Sequence, residues 1–261
     1  MKHLKSMIEE FKRYRFLLSE LVKRGIVLKY RRSYLGMAWT LLEPLLNMIV
    51  LTFVFGTLFG NSDKTYPVYI LSGRLLYSCF SQSTKNALKS VRANRAMINK
   101  VYVPKYMYPL SSVLYSYVIF LFSLIVLAIV TVVLGLWPTW HILTIWIPLL
   151  LLGLLSLGIG MILATMGVYF RDMEYLWDVA LTLLMYMCAI FYYPDRFMSK
   201  GLGWVLELNP LYCIIAMFRD CLYGNAMNLT YLAYAGLWCI GTIAIGPAVF
   251  NKKQNEFVLH I

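Results

Sequence analysis

Apolar residues gather into six stretches along the chain, at roughly 37–59, 66–88, 108–135, 142–168, 174–193 and 229–250. Each is close to the ~20 residues that a helix needs to cross a ~30 Å hydrocarbon core. The second is the least uniform, since it holds Arg74 and the polar run Ser81-Gln82-Ser83-Thr84. A closed β-barrel is the other structure that can span a bilayer, and its strands would alternate apolar and polar over ~10 residues. Ile119–Val133 is almost unbroken apolar instead. The pattern therefore predicts an all-α membrane protein with six transmembrane helices.

The flanks follow other periods. In residues 1–36, Leu4, Met7, Ile8, Phe11, Tyr14, Leu18, Leu21 and Val22 recur at helical spacing, with Lys5, Glu9, Lys12, Arg13, Lys23 and Arg24 on the other faces. Charges recur throughout, so this is not the apolar core of a signal peptide. It reads as an N-terminal amphipathic helix in the interface plane, its basic face on lipid headgroups, or else as a surface helix packed on a partner. Residues 194–228 are too apolar for a free loop and too interrupted by Pro194, Gly201, Gly203 and Pro210 for a span. A re-entrant pair of short helices before the last span fits them. The resulting division is a cytoplasmic amphipathic segment 1–36, a six-helix transmembrane domain 37–250 and a cytoplasmic tail 251–261.

Composition agrees: 61% of the 261 residues are hydrophobic and only 14% charged, where a soluble domain carries ~25%. The formal charge of +12 looks at first like nucleic-acid binding. However, 19 of the 24 Lys and Arg lie in residues 1–36, the 85–107 loop, the 169–174 turn and the tail. The positive-inside rule then puts both termini in the cytoplasm, and six spans make the two ends agree. The five cysteines lie mostly in apolar runs without metal-ligand or CxxC spacing, so they read as small hydrophobes.

Candidate chemistry is sparse. There is no P-loop, no HExxH and no GxSxG, and none of His3, His141 and His260 neighbours a candidate nucleophile. No catalytic and no metal-binding residues are assigned. Ionisable groups within the apolar stretches still need a reason, because charge in hydrocarbon is expensive. Glu43 lies ~9 Å into the first span, beside Trp39 and Pro44, which suggest an interface anchor and a local helix break. Arg74 and Asp178 either snorkel to the interface or act on substrate. Ser156, Gly160 and Ala164 form a small-residue packing stripe, and Gly56 and Gly60 a GxxxG. In the 85–107 loop, Lys85, Lys89, Arg92, Arg95, Lys100 and Lys105 have no acidic neighbour, while Leu88, Val91, Ile98 and Val101 sit at near-helical intervals up to Pro104. That pattern suits either a short amphipathic docking helix or a solvated loop.

Four motifs then resemble one family. They are Arg31-Arg32-Ser33-Tyr34-Leu35-Gly36-Met37-Ala38-Trp39 with Leu42-Glu43-Pro44-Leu45; Asn94 to Ser112 with Asn99-Lys100-Val101-Tyr102-Val103-Pro104 and Tyr108-Pro109-Leu110-Ser111; Tyr169-Phe170-Arg171-Asp172-Met173; and Asn209-Pro210-Leu211 with Phe218-Arg219-Asp220. In that order they resemble the permease subunit of type-2 ABC exporters for polysaccharides, the O-antigen, capsule, teichoic-acid and rhamnan carriers, over nearly the whole chain. The resemblance implies a homodimeric six-helix permease in the bacterial plasma membrane that binds two copies of a separate ABC ATPase. ATP and its Mg would sit on that partner, leaving no cofactor in this chain. It implies a channel for an undecaprenyl-pyrophosphate-linked glycan between the first and fifth spans, with Trp39, Phe53, Phe55, Tyr186, Phe191 and Tyr192 as candidate lining, to which the ionisable Glu43 and Arg74 are added as candidates. The rings could equally be core or belt residues. It also implies contact with the ATPase through the N-terminal helix and the coupling loop 89–107, with Lys89, Arg92, Asn94, Arg95, Asn99, Lys100, Arg171 and Asp172 as candidates. Two positions depart from the family pattern: Ala189 stands where a proline is common, and Arg74 where the neighbourhood tends to be apolar. Lipid or drug efflux by the same architecture, or an ion-driven secondary transporter, are the alternatives. The latter would favour an inverted repeat and paired broken helices, and neither is found in the sequence.

Overall fold

The structure, a computed structural model, describes residues 2–31, 33–59, 63–98, 100, 103–137, 139–199, 201 and 203–257, without the side chains of 2–13, 58, 59 and 196. Among these residues the chain is all-helical. The helices are α1 (Lys2–Tyr30), α2 (Trp39–Phe59), α3 (Tyr66–Ala93), α4 (Arg95–Ile98), α5 (Met107–Val133), α6 (Trp146–Tyr169), α7 (Met173–Met187), α8 (Asp195–Met198), α9 (Gly203–Glu207), α10 (Pro210–Tyr223) and α11 (Leu229–Lys253). Short 3₁₀ turns at Gly36–Ala38 and Trp140–Thr144 lead into α2 and α6.

Among the described residues four segments are long and apolar enough to cross a membrane: Gly36–Thr57, Met107–Val133, Trp140–Tyr169 and Leu229–Lys253. The other two expected spans depart from that standard for different reasons. α3 is too polar, yet it is the centre of the bundle, with α5 and α6 packed along it and α2, α7 and α10 alongside. Its polar residues are covered by protein, which is the condition for polar groups at membrane depth. α7 stops at Met187 and has 15 residues, about 22 Å of helix. Residues 188–193 of the expected span continue as non-helical backbone. Ala189 there has φ 45°, a left-handed conformation that costs a non-glycine residue energy and so must be held from outside.

Local sequence explains most ends. The Asn209 side chain accepts from Leu211 N–H at 3.0 Å, Pro210 takes the first turn, and Gly224 closes α10 at φ 79°. Asn228 caps α11 in the same way, through Thr230 N–H at 2.9 Å. Asp63 accepts from the backbone N–H and hydroxyl of Thr65 ahead of α3, and these bonds hold its carboxyl below the usual carboxylate range. The segment 194–228 forms three short helices instead of the expected pair.

Pro44 does not break α2, contrary to expectation. Its missing N–H leaves the Thr40 carbonyl without an intrahelical partner, and the Ser123 hydroxyl of α5 donates to that carbonyl at 3.1 Å. The small stripe of α6 does pack: Ser156 and Ala164 are fully buried, and a Cβ on Gly160 would sit 3.0 Å from that of Ala87. Gly167 continues that stripe, where a Cβ would sit 2.5 Å from the Leu88 carbonyl oxygen of α3, and on another face a Cβ on Gly158 would sit 2.7 Å from the Thr242 backbone of α11. Gly60 of the GxxxG pair lies outside the described residues. All five cysteines are free and buried. The described part of α1 lays Tyr14, Leu17, Leu18 and Leu21 on the start of α5, around Met107 and Tyr108. The tail folds back, burying Phe257 against Phe250 and Tyr169.

Candidate functional site

Four polar residues of α3, Arg74, Ser78, Gln82 and Asn86, are spaced four apart and so share one face of the helix. Around that face α1 contributes Lys29, α2 contributes Glu43 and Asn47, and α5 contributes Ser116 and Ser123, enclosing a cavity of about 60 Å³. A larger cleft of about 600 Å³ follows toward the C-terminal end of α3, between α1, α3 and α5. Arg24, Lys29, Lys85, Asn86, Lys89 and Asn94 are among its walls. Lys29 and Gln82 line both spaces, and Lys29 Nζ donates to Gln82 Oε1 at 3.0 Å. The two spaces form one polar track, narrowed at this bond.

The sequence candidates separate into three groups. Glu43 and Arg74 line the inner cavity together without forming an ion pair. Arg74 reaches Met185 Sδ at 3.4 Å and lies 5.8 Å from the centre of the Tyr77 ring. Phe55, Tyr186, Phe191 and Tyr192 gather near the far ends of α2 and α7. Phe55 stacks on Phe191 at 4.6 Å, Tyr186 lies 6.3 Å from Phe191, and the Tyr192 hydroxyl donates to Tyr186 O at 2.6 Å. Trp39 and Phe53 join neither group and are exposed on α2.

Among the coupling candidates, Lys89 and Arg92 belong to α3 itself, which runs on to Ala93, and only the single turn α4 follows. Both pair with Glu174 of α7, Lys89 at 2.9 Å, and Lys85 pairs with Asp178 at 2.8 Å. The basic run thus has acidic partners that are remote in sequence. Asn94 donates to Ser90 O at 2.8 Å, which closes the end of α3. Arg95, Lys100, Arg171 and Asp172 are exposed, the last two in the turn between α6 and α7. Asn99 lies outside the described residues. Lys105 donates to Gln254 O at 2.6 Å, and burial there lowers its pKa.

Sequence reasoning named Arg219 only within the Phe218-Arg219-Asp220 motif and missed what it does. Its side chain is buried, its guanidinium 3.5 Å from the Tyr69 ring centre, and it donates to Ala189 O at 3.2 Å and Tyr69 O at 3.0 Å. Tyr69 and Tyr66 of α3 also bind this segment, donating to Ala189 O at 2.8 Å and Phe191 O at 2.7 Å. Together they hold the left-handed Ala189. The available signal was Gly73, where a Cβ would lie 2.4 Å from Arg219 Nη2, so that only glycine leaves room for the guanidinium.

Comparison with known proteins gives a consistent result. The family model described as ABC-2 type transporter matches residues 17–223. The O-antigen export system permease protein RfbA of Klebsiella pneumoniae is 28% identical over 92% of this chain and 93% of its own length. Its namesake in Myxococcus xanthus is 27% identical over 96% and 97%. The polysialic acid transport protein KpsM of Escherichia coli is 24% identical over 90% and 92%.

Proposed function

The chain belongs to the ABC-2 type transporter family, and from that premise we propose that it is the permease subunit of an exporter of lipid-linked polysaccharide. In this reading two copies of the chain form a channel across the plasma membrane, and two copies of a separate ATPase drive it. The cargo is a glycan on undecaprenyl pyrophosphate. The observation that carries the reading is the extent of the match to O-antigen and polysialic acid transport proteins, which takes in 90% or more of this chain.

The geometry supports the finer parts. α3 and α7 join the four apolar helices as the remaining two spans, α3 shielded by its neighbours and α7 completed by residues 188–193. α1 lies in the cytoplasmic interface, and α8 to α10 re-enter from outside. Both termini are then cytoplasmic, the cationic cleft opens inward, and α4 with the Arg171-Asp172 turn faces the ATPase. α2 suits a channel wall or copy-to-copy contact, since only 6% of its apolar window is buried within the chain.

The test is co-purification with an ABC ATPase subunit from the source organism, together with deletion of this chain there. Binding to that subunit and loss of surface glycan are expected. A chain that binds no such subunit, and whose deletion leaves surface glycan intact, would refute the reading.

A further inference from the structure

Two arginines sit inside this helical bundle, and they are treated differently. Arg219 is held within the protein by two backbone carbonyls, which take its two Nη groups, and by the face of Tyr69, while its buried Nε has no partner. Arg74 lies eight residues into α3, about 12 Å from its first residue. It has a thioether sulfur and the distant Tyr77 ring. A thioether is a weak acceptor, whereas a guanidinium presents five donors. Among the described residues no carboxylate pairs with Arg74. An intramembrane charge left this way is costly, and its usual reason is a ligand or pathway.

The surroundings indicate which ligand. The cavity beside Arg74 is lined by Asn47, Ser78 and Gln82, with Lys29 and Arg74 as cations against the single carboxylate Glu43. It continues past the Lys29–Gln82 bond into the cleft walled by Arg24, Lys85 and Lys89. The balance along the track favours anions, and a guanidinium fork is the group best suited to bind a phosphate or carboxylate in two-pronged fashion.

We propose that Arg74 is an anion-binding, specificity-determining residue at the inner end of this polar track, taking phosphate or carboxylate oxygens of the transported glycan or its lipid carrier. This rests on the permease reading for the nature of the cargo. Arg74 is not an internal brace like Arg219; it completes its hydrogen bonds only when an anionic group enters.

The experiment uses the full chain in phosphatidylcholine nanodiscs and measures binding in two arms. One compares undecaprenyl pyrophosphate with undecaprenol; the other compares a sialic-acid oligosaccharide with a neutral glucose oligosaccharide. The wild type is expected to prefer the anionic member in at least one arm by roughly tenfold, the scale of one charge-assisted hydrogen bond. Arg74→Gln should abolish that preference, and Arg74→Lys should keep part of it, retaining charge without the fork. The arm that responds identifies the source of the anion. A wild type with no preference, or an Arg74→Gln chain that stays monodisperse and helical yet keeps the preference, overturns the proposal. If the preference persists in Arg74→Gln but vanishes in Lys29→Gln, the anion belongs to Lys29 and the assignment to Arg74 is wrong. Binding to the ATPase subunit is read separately, so failure of the permease reading is distinguishable from failure here.

Discussion

The Thr40 carbonyl faces α5 because Pro44, one turn on, has no N–H to give it, and the Ser123 hydroxyl supplies the missing donor. Ser123→Ala removes almost no volume but takes the protein donor from that carbonyl beside the polar cavity, which costs about 1 kcal/mol. The expected outcome is a lower unfolding midpoint in detergent with unchanged helical content, while Ser123→Thr, which keeps the hydroxyl, stays near wild type. Arg219 carries a larger stake. Arg219→Lys keeps the charge but cannot serve both carbonyls and stack on Tyr69. It should destabilise the protein by about 2 kcal/mol and raise hydrogen exchange selectively in residues 188–193. Uniform exchange across the chain would argue against the clamp. Neither role is visible in sequence alone. Pro44 was legible as a break because the rule for proline is local, whereas the rescue comes from a residue 79 positions away. Arg219 was legible as part of a motif but not as a clamp, since its partners are backbone atoms and carry no sequence signature.

At the scale of elements, α7 is joined to α3 by a ladder of polar contacts. Trp177 Nε1 donates to Thr84 Oγ1 at 3.0 Å, Tyr77 donates to Leu181 O at 2.7 Å, and Asp178 and Glu174 pair with Lys85, Lys89 and Arg92. Of its own residues only Leu181 is buried. A helix held by partly exposed pairs, each contributing about 0–1 kcal/mol, is easier to displace than one held by a packed apolar face. Glu174→Lys turns two attractions into repulsions and should loosen the lower half of α7, seen as faster hydrogen exchange over 173–180 and a lower unfolding midpoint. Adding Lys89→Glu should restore part of the loss. If the double variant is no better than the single, Glu174 does not act through this pair. The sequence made α3 look like the weakest span and the basic run after it look like a separate helix. Both impressions come from judging hydropathy one segment at a time. α3 is polar because five helices cover it, and Lys85, Lys89 and Arg92 are its own last turns, paired with acids that lie more than eighty residues onward.

For the whole molecule, the apolar spans and the excess of basic charge were readable from pattern, and so was the small-residue packing of α6. The cavities were not, because they arise where faces of three or four separate helices meet and no one segment records them. The charge pattern also predicts the direction in which the molecule crosses the membrane. Of the 24 basic residues, 19 fall in segments assigned to one side, which by the positive-inside rule is the cytoplasm. The native cysteines suit a labelling experiment: all five are free and buried, so a thiol reagent that cannot cross membranes should react weakly with the folded wild type. Lys64 lies in the connection before α3 and Lys252 in the last turn of α11, and both are exposed. Lys64→Cys should therefore label in intact cells, and Lys252→Cys only after the membrane is permeabilised. The reverse pattern would invert the orientation, turning the cationic cleft and the α4 turn away from any cytoplasmic ATPase. Labelling of both positions from outside would place an even number of crossings between them, where the six-span reading requires five, and that count would have to be abandoned.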